Sequence, residues 1–182
     1  MSKCLFLDRD GVINVDFGYV CSMQRLQFVD GIFDLCRKFV AEGFLIVVIT
    51  NQSGIARGYY SEDEFNAFMV QIVDIFKLQG IVISDYLYCP HHPIYSSNQL
   101  DQNCGCRKPN NKLFQDAIKK HHIIPELSAS VGDSMRDVTA AKSSAIRYNF
   151  LLDNQDKKSH VNNDFFVVSS LYDIDVSRLE DL

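Results

Sequence analysis

The sequence predicts an α/β fold: a Rossmann-like, mainly parallel sheet flanked by helices. Three observations lead there. Short apolar runs that read as strands alternate with amphipathic segments that read as helices. The clearest run, Phe44 to Ile49, is apolar at every position, as a strand buried on both faces must be. Acids, a hydroxyl and two cations stand just beyond the strand runs, where ligands bind in such sheets.

The elements follow in order. Lys3 to Leu7 reads as a buried strand ending at Asp8, followed by a polar loop from Gly11 to about Val29. Gly31 to Glu42 reads as a helix, because Ile32, Leu35, Cys36 and Phe39 recur at helical spacing; Gly43 stops it. The strand at Phe44 to Ile49 comes next. Ser61-Glu62-Asp63-Glu64 has the pattern of a capping box, and behind it Phe65, Phe68, Met69, Ile72, Ile75 and Phe76 make one apolar helix face. A third strand is expected at Ser84 to Tyr88. The segment from Cys89 to Cys106 is polar and aperiodic, too long to be a plain loop in a compact domain. Beyond it, Asn111 to His121 reads as a helix, Ala129 to Gly132 as a strand, Met135 to Ser143 as a helix and Ile146 to Leu152 as a strand. Leu152 to Asp164 reads as a polar surface loop, Phe165 to Val168 as an edge strand before a final short helix. His121-His122 is expected as a solvated helix end, where positive charge suits the dipole. Cys4 and Cys36 read as core, Cys21 as a loop residue.

With 182 residues the chain is the size of a single domain and buries roughly 70% of its unfolded surface, enough for a core without disulfides. The 47% apolar and 23% charged content excludes a disordered or fibrous chain. A net charge of −5 argues against a nucleic-acid backbone binder and a cationic membrane-surface protein. No apolar run is long enough to span a bilayer, and Asp8 interrupts the N-terminus before a signal-peptide core could form. The expectation is a cytoplasmic protein, a monomer, whose partner is a small-molecule substrate. In that compartment its six cysteines are thiols or metal ligands.

The chemistry stands at Asp8-Arg9-Asp10-Gly11, Thr50-Asn51-Gln52-Ser53-Gly54, Arg107-Lys108-Pro109 and Gly132-Asp133-Ser134-Met135-Arg136-Asp137. In extended chain Asp8 and Asp10 would face the same way, and their repulsion calls for a divalent cation. With Asp133, the set suits Mg²⁺, whose shell waters and a substrate phosphate complete. One carboxylate can then attack phosphorus to form an aspartyl-phosphate. The other can protonate the leaving alkoxide and later activate water. Thr50 and Lys108 would hold the phosphoryl oxygens. Each feature alone is bland: a surface turn, a strand end, a solvated lysine, a helix cap. Their order along the chain, each at an element boundary, is what points to a phosphomonoesterase.

Cys89-x-His91, then twelve residues, then Cys104-x-Cys106 supplies three thiolates and an imidazole, a set suited to a structural tetrahedral Zn²⁺. His91 is preferred to His92 because its spacing from Cys89 matches the second pair. The ion would fold the loop of residues 89–106 and place Arg107 and Lys108.

Asp8-Arg9-Asp10-Gly11-Val12-Ile13-Asn14, Thr50-Asn51-Gln52-Ser53-Gly54, Lys108, and Gly132-Asp133 with Asp137 resemble the four motifs of the haloacid dehalogenase superfamily of phosphatases. The resemblance implies that fold, without a large cap domain. It implies Asp8 as nucleophile, Asp10 as general acid/base, and Mg²⁺ held by Asp8, the backbone carbonyl of Asp10, and Asp133. Asp137 would support the site from behind.

With the zinc loop, the chain from Leu5 to Ile146, and a tail at Phe165 to Leu182, resembles the heptose bisphosphate phosphatases. It is similar, more distantly, to the histidinol-phosphate phosphatases. The resemblance implies removal of the C7 phosphate of D-glycero-D-manno-heptose 1,7-bisphosphate. That step belongs to nucleotide-activated heptose synthesis for lipopolysaccharide core, capsule or S-layer glycan. It places Asp16, Phe17, Gly18 and Tyr19 in a loop over the substrate, with Asn51, Gln52 and Ser53 beside it. Arg107 would recognise the distal phosphate, for which a planar fork of donors is suited.

Three departures bear on substrate choice. Ser134 stands where those enzymes usually carry Lys, Phe17 where they often carry His, and Asn110-Asn111 follows Pro109 in place of a Pro-Gly turn. The rival readings are a phosphatase for histidinol phosphate or another small sugar phosphate, and a zinc-stabilised binding protein with a dead site.

Overall fold

The computed structural model describes residues 2–154, 160–162 and 164–179. Among these, seven strands form one sheet: β1 Cys4–Leu7, β2 Leu45–Asn51, β3 Ile83–Cys89, β4 Ala129–Gly132, β5 Tyr148–Leu152, β6 His160–Asn162 and β7 Phe165–Val168. Six α-helical segments accompany them: α1 Ile32–Ala41, α2 Ser53–Ala56, α3 Glu62–Leu78, α4 Gln99–Gln102, α5 Lys112–His121 and α6 Met135–Lys142. The sheet order is β3-β2-β1-β4-β5-β7-β6. Every pairing is parallel except that of β6 with β7. The chain winds outward from β1 to β3, then returns to build the other half from β4. The boundary between β1 and β4 is therefore the switch point, where a crevice opens beyond the strands' carboxyl ends.

Alternation along β1 and β2 explains why both are wholly apolar. Leu5, Leu7, Ile46 and Val48 face one side and pack with Leu35, Phe39, Phe65, Phe68, Ile72 and Phe76 of α1 and α3. Cys4, Phe6, Val47 and Ile49 face the other and pack with Leu113, Phe114 and Ala117 of α5 and Ala140 and Ala141 of α6. Each large apolar side chain so buried contributes roughly 1.5–3 kcal/mol.

The helix starts follow local rules. Glu64 N donates to Ser61 Oγ at 3.1 Å and Ser61 N to Glu64 Oε2 at 2.6 Å, closing the capping box expected for α3. Gly43, at φ +78°, ends the α1 segment as expected.

The structure corrects three expectations. The polar stretch from Leu152 to Asp164 carries β6; residues 155–159 and 163 of it lie outside the described residues. Phe165 to Val168 is consequently not an edge: β7 lies between β5 and β6. Its apolar side chains favour that inner position, and the outer strand is the polar one. In place of a single final helix there are two 3₁₀ turns, Leu171–Asp173 and Val176–Arg178.

Candidate active site

The crevice beyond β1 and β4 holds the expected residues. A cavity of 280 Å³ is lined by Asp8, Asp10, Asp16, Gly18, Tyr19, Thr50, Asn51, Gln52, Ser53, Tyr60, Arg107 and Arg136. Among the expected catalytic, Mg²⁺-binding and substrate residues, Phe17, Ser134, Lys108 and Asp133 are absent from that lining, and Asp133 lines a neighbouring cavity with Gly11 and Asp16. Phe17 is exposed, and Ser134 starts α6 by donating from N and Oγ to Asp137 Oδ2, at 3.1 and 2.8 Å.

Beneath the cavity lies a buried charge cluster. Lys108 Nζ sits 3.0 Å from Asp8 Oδ1 and 2.7 Å from Asp137 Oδ1, and donates to the Ile49 carbonyl at 2.7 Å. Burial works against its charge, but Asp8 and Asp137 hold the Lys108 pKa above its ordinary value. Asp8 is pushed up to about 7, chiefly by burial; Lys108 pulls the other way, while Asp137, Asp133 and Asp10 add to the rise. Asp133 rises to about 6, again first by burial and then by Asp137.

Ligand oxygens of Asp8, Asp133 and Asp137 lie within 4.8 Å of one another. Asp133 Oδ1 is buried without a hydrogen-bond partner. Gly11, at φ +85°, lets the Asp133 carboxylate lie against the backbone after β1; a Cβ there would collide with it. An all-oxygen set with an orphaned carboxylate oxygen fits a hard divalent cation such as Mg²⁺.

Asp10 differs from its expected arrangement. β1 ends at Leu7, and by Asp10 the chain has entered a turn in which Gly11 N bonds to Asn14 O at 2.7 Å. The Asp10 carboxylate lines the same cavity as that of Asp8. It accepts from Arg9 Nη2 at 2.8 and 2.6 Å, Arg9 Nε at 3.2 Å, Asn14 Nδ2 at 3.0 Å and Gln52 Nε2 at 3.1 Å. Arg9 itself is fully buried, with its guanidinium over the rings of Phe65 and Phe68. Repulsion on Asp8 comes from Asp137 and Asp133 ahead of Asp10.

Asn51 braces the lysine segment: its Nδ2 donates to Lys108 O at 3.1 Å, and Lys108 N donates to its Oδ1 at 3.0 Å. Arg107 enters the cavity while its Nη1 donates to the His91 carbonyl at 3.1 Å. Its pKa is lowered by burial and by the like charges of Arg136 and Arg57, although nearby thiols oppose the shift. Arg136 makes no hydrogen bond or ion pair among the described residues. Two guanidiniums that line one cavity suit an anion there.

The second cluster is Cys89, His91, Cys104 and Cys106, with ligand atoms again within 4.8 Å of one another. His91 Nδ1 is 3.4 Å from Cys106 Sγ, while its Nε2 is 3.2 Å from Asp101 Oδ1 in α4. A carboxylate on the far nitrogen is how metal-ligating imidazoles are held. Burial opposes ionisation of Cys104, yet contacts from Cys106, His91 and Cys89 bring it down to about 7. Three thiols and an imidazole fit Zn²⁺. His92 lies elsewhere, facing Arg57 Nη2 at 3.1 Å. The Arg57 guanidinium stacks 4.1 Å from the Tyr95 ring centroid and 5.6 Å from that of Tyr19. One arginine thus joins the cysteine loop to the loop over the cavity.

Tyr60, Arg136, Arg57 and Asp101 escaped the sequence reading. Arg136 had a usable signal, since it opens the helix after a strand-end acid; the others are joined to the site only by the fold. His121 is a correction: it is not a solvated end, because its Nε2 lies 2.8 Å from Asp85 Oδ2, beside Lys120 Nζ at 2.7 Å. The parallel β3 brings Asp85 beneath the end of α5.

Comparison with known proteins agrees with this geometry. The family profile for polynucleotide kinase 3 phosphatase matches residues 19–168. The D-glycero-beta-D-manno-heptose-1,7-bisphosphate 7-phosphatase of Pasteurella multocida is 37% identical over 179 residues, covering 96% of this chain and 95% of that one. The corresponding alpha-heptose enzyme of Campylobacter jejuni is 39% identical, covering 91% and 88%. The D,D-heptose 1,7-bisphosphate phosphatase of B. bronchiseptica, solved with magnesium and phosphate, superposes with a TM-score of 0.81 at 26% identity, covering 99% of each chain. No helix among the described residues is long and apolar enough to cross a membrane. The chain belongs to the haloacid dehalogenase-like phosphatases and, within them, to the D-glycero-D-manno-heptose-1,7-bisphosphate 7-phosphatase family.

Proposed function

We propose that this protein hydrolyses the C7 phosphate ester of D-glycero-D-manno-heptose 1,7-bisphosphate through an aspartyl-phosphate on Asp8. The observation that carries the reading is the contact of Lys108 with Asp8 in a buried acidic cluster at the switch point of the sheet. The Asp8 carboxylate attacks phosphorus, and the bond from phosphorus to the C7 oxygen breaks. Asp10, once protonated, gives its proton to the leaving alkoxide. In the second step Asp10 takes a proton from water, which attacks the same phosphorus. The bond to Asp8 breaks and inorganic phosphate leaves. Lys108 and the Thr50 hydroxyl hold the phosphoryl oxygens as their charge grows.

Mg²⁺ would be held by Asp8, the Asp10 carbonyl and Asp133, and would supply positive charge to the acids and the phosphoryl oxygens. Zn²⁺ would be held by Cys89, His91, Cys104 and Cys106 as a structural ion. Arg107, with Arg136, faces the phosphate that does not react; Asp16, Gly18, Tyr19, Asn51 and Ser53 line the sugar's place. The product, a heptose 1-phosphate, belongs to the synthesis of nucleotide-activated heptose.

The test is kcat/KM with Mg²⁺ on the α- and β-heptose bisphosphates beside histidinol phosphate, for wild type and Asp8→Asn. A heptose bisphosphate should be preferred, and Asp8→Asn should be inactive. Preference for histidinol phosphate would overturn the substrate, and a fully active Asp8→Asn would overturn the mechanism.

A further inference from the structure

The floor of the cavity contains a hydrogen-bond relay that ends on both Asp10 and Thr50. Gln52 follows β2 and is almost wholly buried, its backbone N held by the Cys89 carbonyl at 2.7 Å. Its side-chain Nε2 donates to Asp10 Oδ2 at 3.1 Å and to Thr50 Oγ1 at 2.9 Å. Its Oε1 accepts from the Tyr60 hydroxyl at 2.8 Å. Both amide hydrogens and the carbonyl are thus in use. Turned over, the amide would set its oxygen against the Asp10 carboxylate, so Asp10 selects the orientation and the Tyr60 hydroxyl completes it by donating to Oε1.

The orientation has a consequence at Thr50. Its oxygen accepts from Gln52, and no group among the described residues accepts its proton. That proton is left for a phosphoryl oxygen, and a hydroxyl that already accepts one hydrogen bond donates a stronger one. Tyr60 owes its place to packing: Gly54 in α2 has no side chain, and a Cβ there would collide with the phenol ring. Burial pushes the Tyr60 phenol up to about 12, so it stays a donor across the neutral range.

We propose that Tyr60 is a positioning residue for both chemical steps, acting through Gln52 to aim the Asp10 carboxylate and the Thr50 hydroxyl. This rests on the roles given above to Asp10 and Thr50. The expected signature is an effect on kcat rather than on KM, and one that needs Gln52.

Tyr60→Phe keeps the ring and removes only the hydroxyl. It should lower kcat on the heptose bisphosphate about tenfold, the scale of one well-placed hydrogen bond, with KM changed less than twofold. Gln52→Met should lower kcat about 10²-fold, because two contacts are lost. Adding Tyr60→Phe to Gln52→Met should cost nothing further. In ¹H–¹⁵N spectra of the full-length protein, the Gln52 side-chain amide pair should be shifted and slow to exchange in wild type. In Tyr60→Phe its shifts should change and its exchange should quicken, at an unchanged Tm.

Wild-type kcat in Tyr60→Phe, or losses that multiply in the double variant, would overturn the proposal. A raised KM at constant kcat would do the same, making Tyr60 a plain substrate contact. Should Tyr60→Phe unfold, Gly54→Ala displaces the same ring and should show the same loss of kcat; an unaltered kcat there would overturn the proposal. The Asp8→Asn control separates the two readings. If that variant is dead while Tyr60→Phe is unimpaired, the relay alone fails. If Asp8→Asn is active, the reading of the site fails with it.

Discussion

Lys108 Nζ lies 3.0 Å from Asp8 Oδ1, and both groups are out of water. A buried pair of this kind is weak support for stability, since desolvation offsets most of the attraction. In the mechanism proposed above, its use is to keep a lone pair of Asp8 near a fixed positive charge where a phosphoryl group would arrive. Asp137 on the far side stops the ammonium from swinging away, at 2.7 Å.

Lys108→Met should therefore lower kcat by about 10²–10³-fold, the cost of removing one preorganised charge from a transition state. KM should move little. Steady-state kinetics at saturating Mg²⁺ check it; a raised KM at unchanged kcat would place Lys108 in ground-state binding instead. Asp137→Asn should give a milder loss, since the lysine stays but is held less firmly.

Freshly prepared, reduced protein should contain about one zinc per chain, the stoichiometry of a single four-ligand site. Cys104→Ser or Cys106→Ser should abolish it and lower activity, because the Cys89–Cys106 loop carries Arg107 and Lys108 at its end. Asp101→Asn should weaken zinc retention by about 10–100-fold while sparing the four ligands, as loss of an imidazole's outer partner does. Metal analysis after dialysis against a chelator reads both; zinc-free protein with full activity would remove the structural role.

Arg107→Ala should raise KM for a sugar bisphosphate about 10–100-fold, the worth of a charge-assisted contact, and change kcat less. A monophosphate lacking the distal group should respond little. Arg136→Ala should show the same substrate dependence. Equal losses on both substrates would detach the two arginines from the second phosphate.

Asp85 ties β3 to the end of α5. Burial would raise its pKa, but hydrogen bonds from Lys120 and His121, and their charges, hold it below its ordinary 3.8. A depressed carboxylate contributes stability that is fully present above its unfolded value and lost as pH falls through the folded one. Asp85→Asn should thus cost roughly 0.5–1 kcal/mol at neutral pH, the scale of a solvent-screened pair. The difference should shrink as pH falls below 3.8 toward the folded value. Urea unfolding at pH 7 and pH 3 checks it; a constant difference at both would mean lost packing, not charge.

Much of this was legible because local rules decide it. Ala129–Gly132 and the α3 cap follow from apolar runs and a four-residue pattern, and the motif acids sit at strand ends because the fold puts ligands there. What escaped depends on long-range placement. The pairing of β6 with β7 joins a polar run to an apolar one and has no local signature. The tight turn at Asp10–Asn14 ties the Asp10 carboxylate to Arg9, Asn14 and Gln52, partners that spacing in extended chain could not reveal. His121 finds Asp85, 36 residues away, only once β3 lies beside α5. Tyr60 reads as an unremarkable aromatic before a helix cap; its partner Gln52 is eight residues back, across a glycine turn.

Gly11 and Gly132 govern how this site tolerates substitution. Each lies against one acid, Asp133 and Asp137 respectively, with no space for a methyl group. In a library randomised at both positions and selected for turnover, glycine should be recovered at each, although neither residue carries a functional group. The two restrictions differ in kind. At position 11 the backbone also lies in the left-handed region, so shortening Asp133 cannot readmit alanine without strain. At position 132 the nearest obstacle is the Asp137 side chain, and a smaller residue opposite should let alanine return, at the cost of the acid that steadies Lys108. A deep mutational scan should therefore show position 132 as paired with 137, and position 11 as closed whatever its neighbours become.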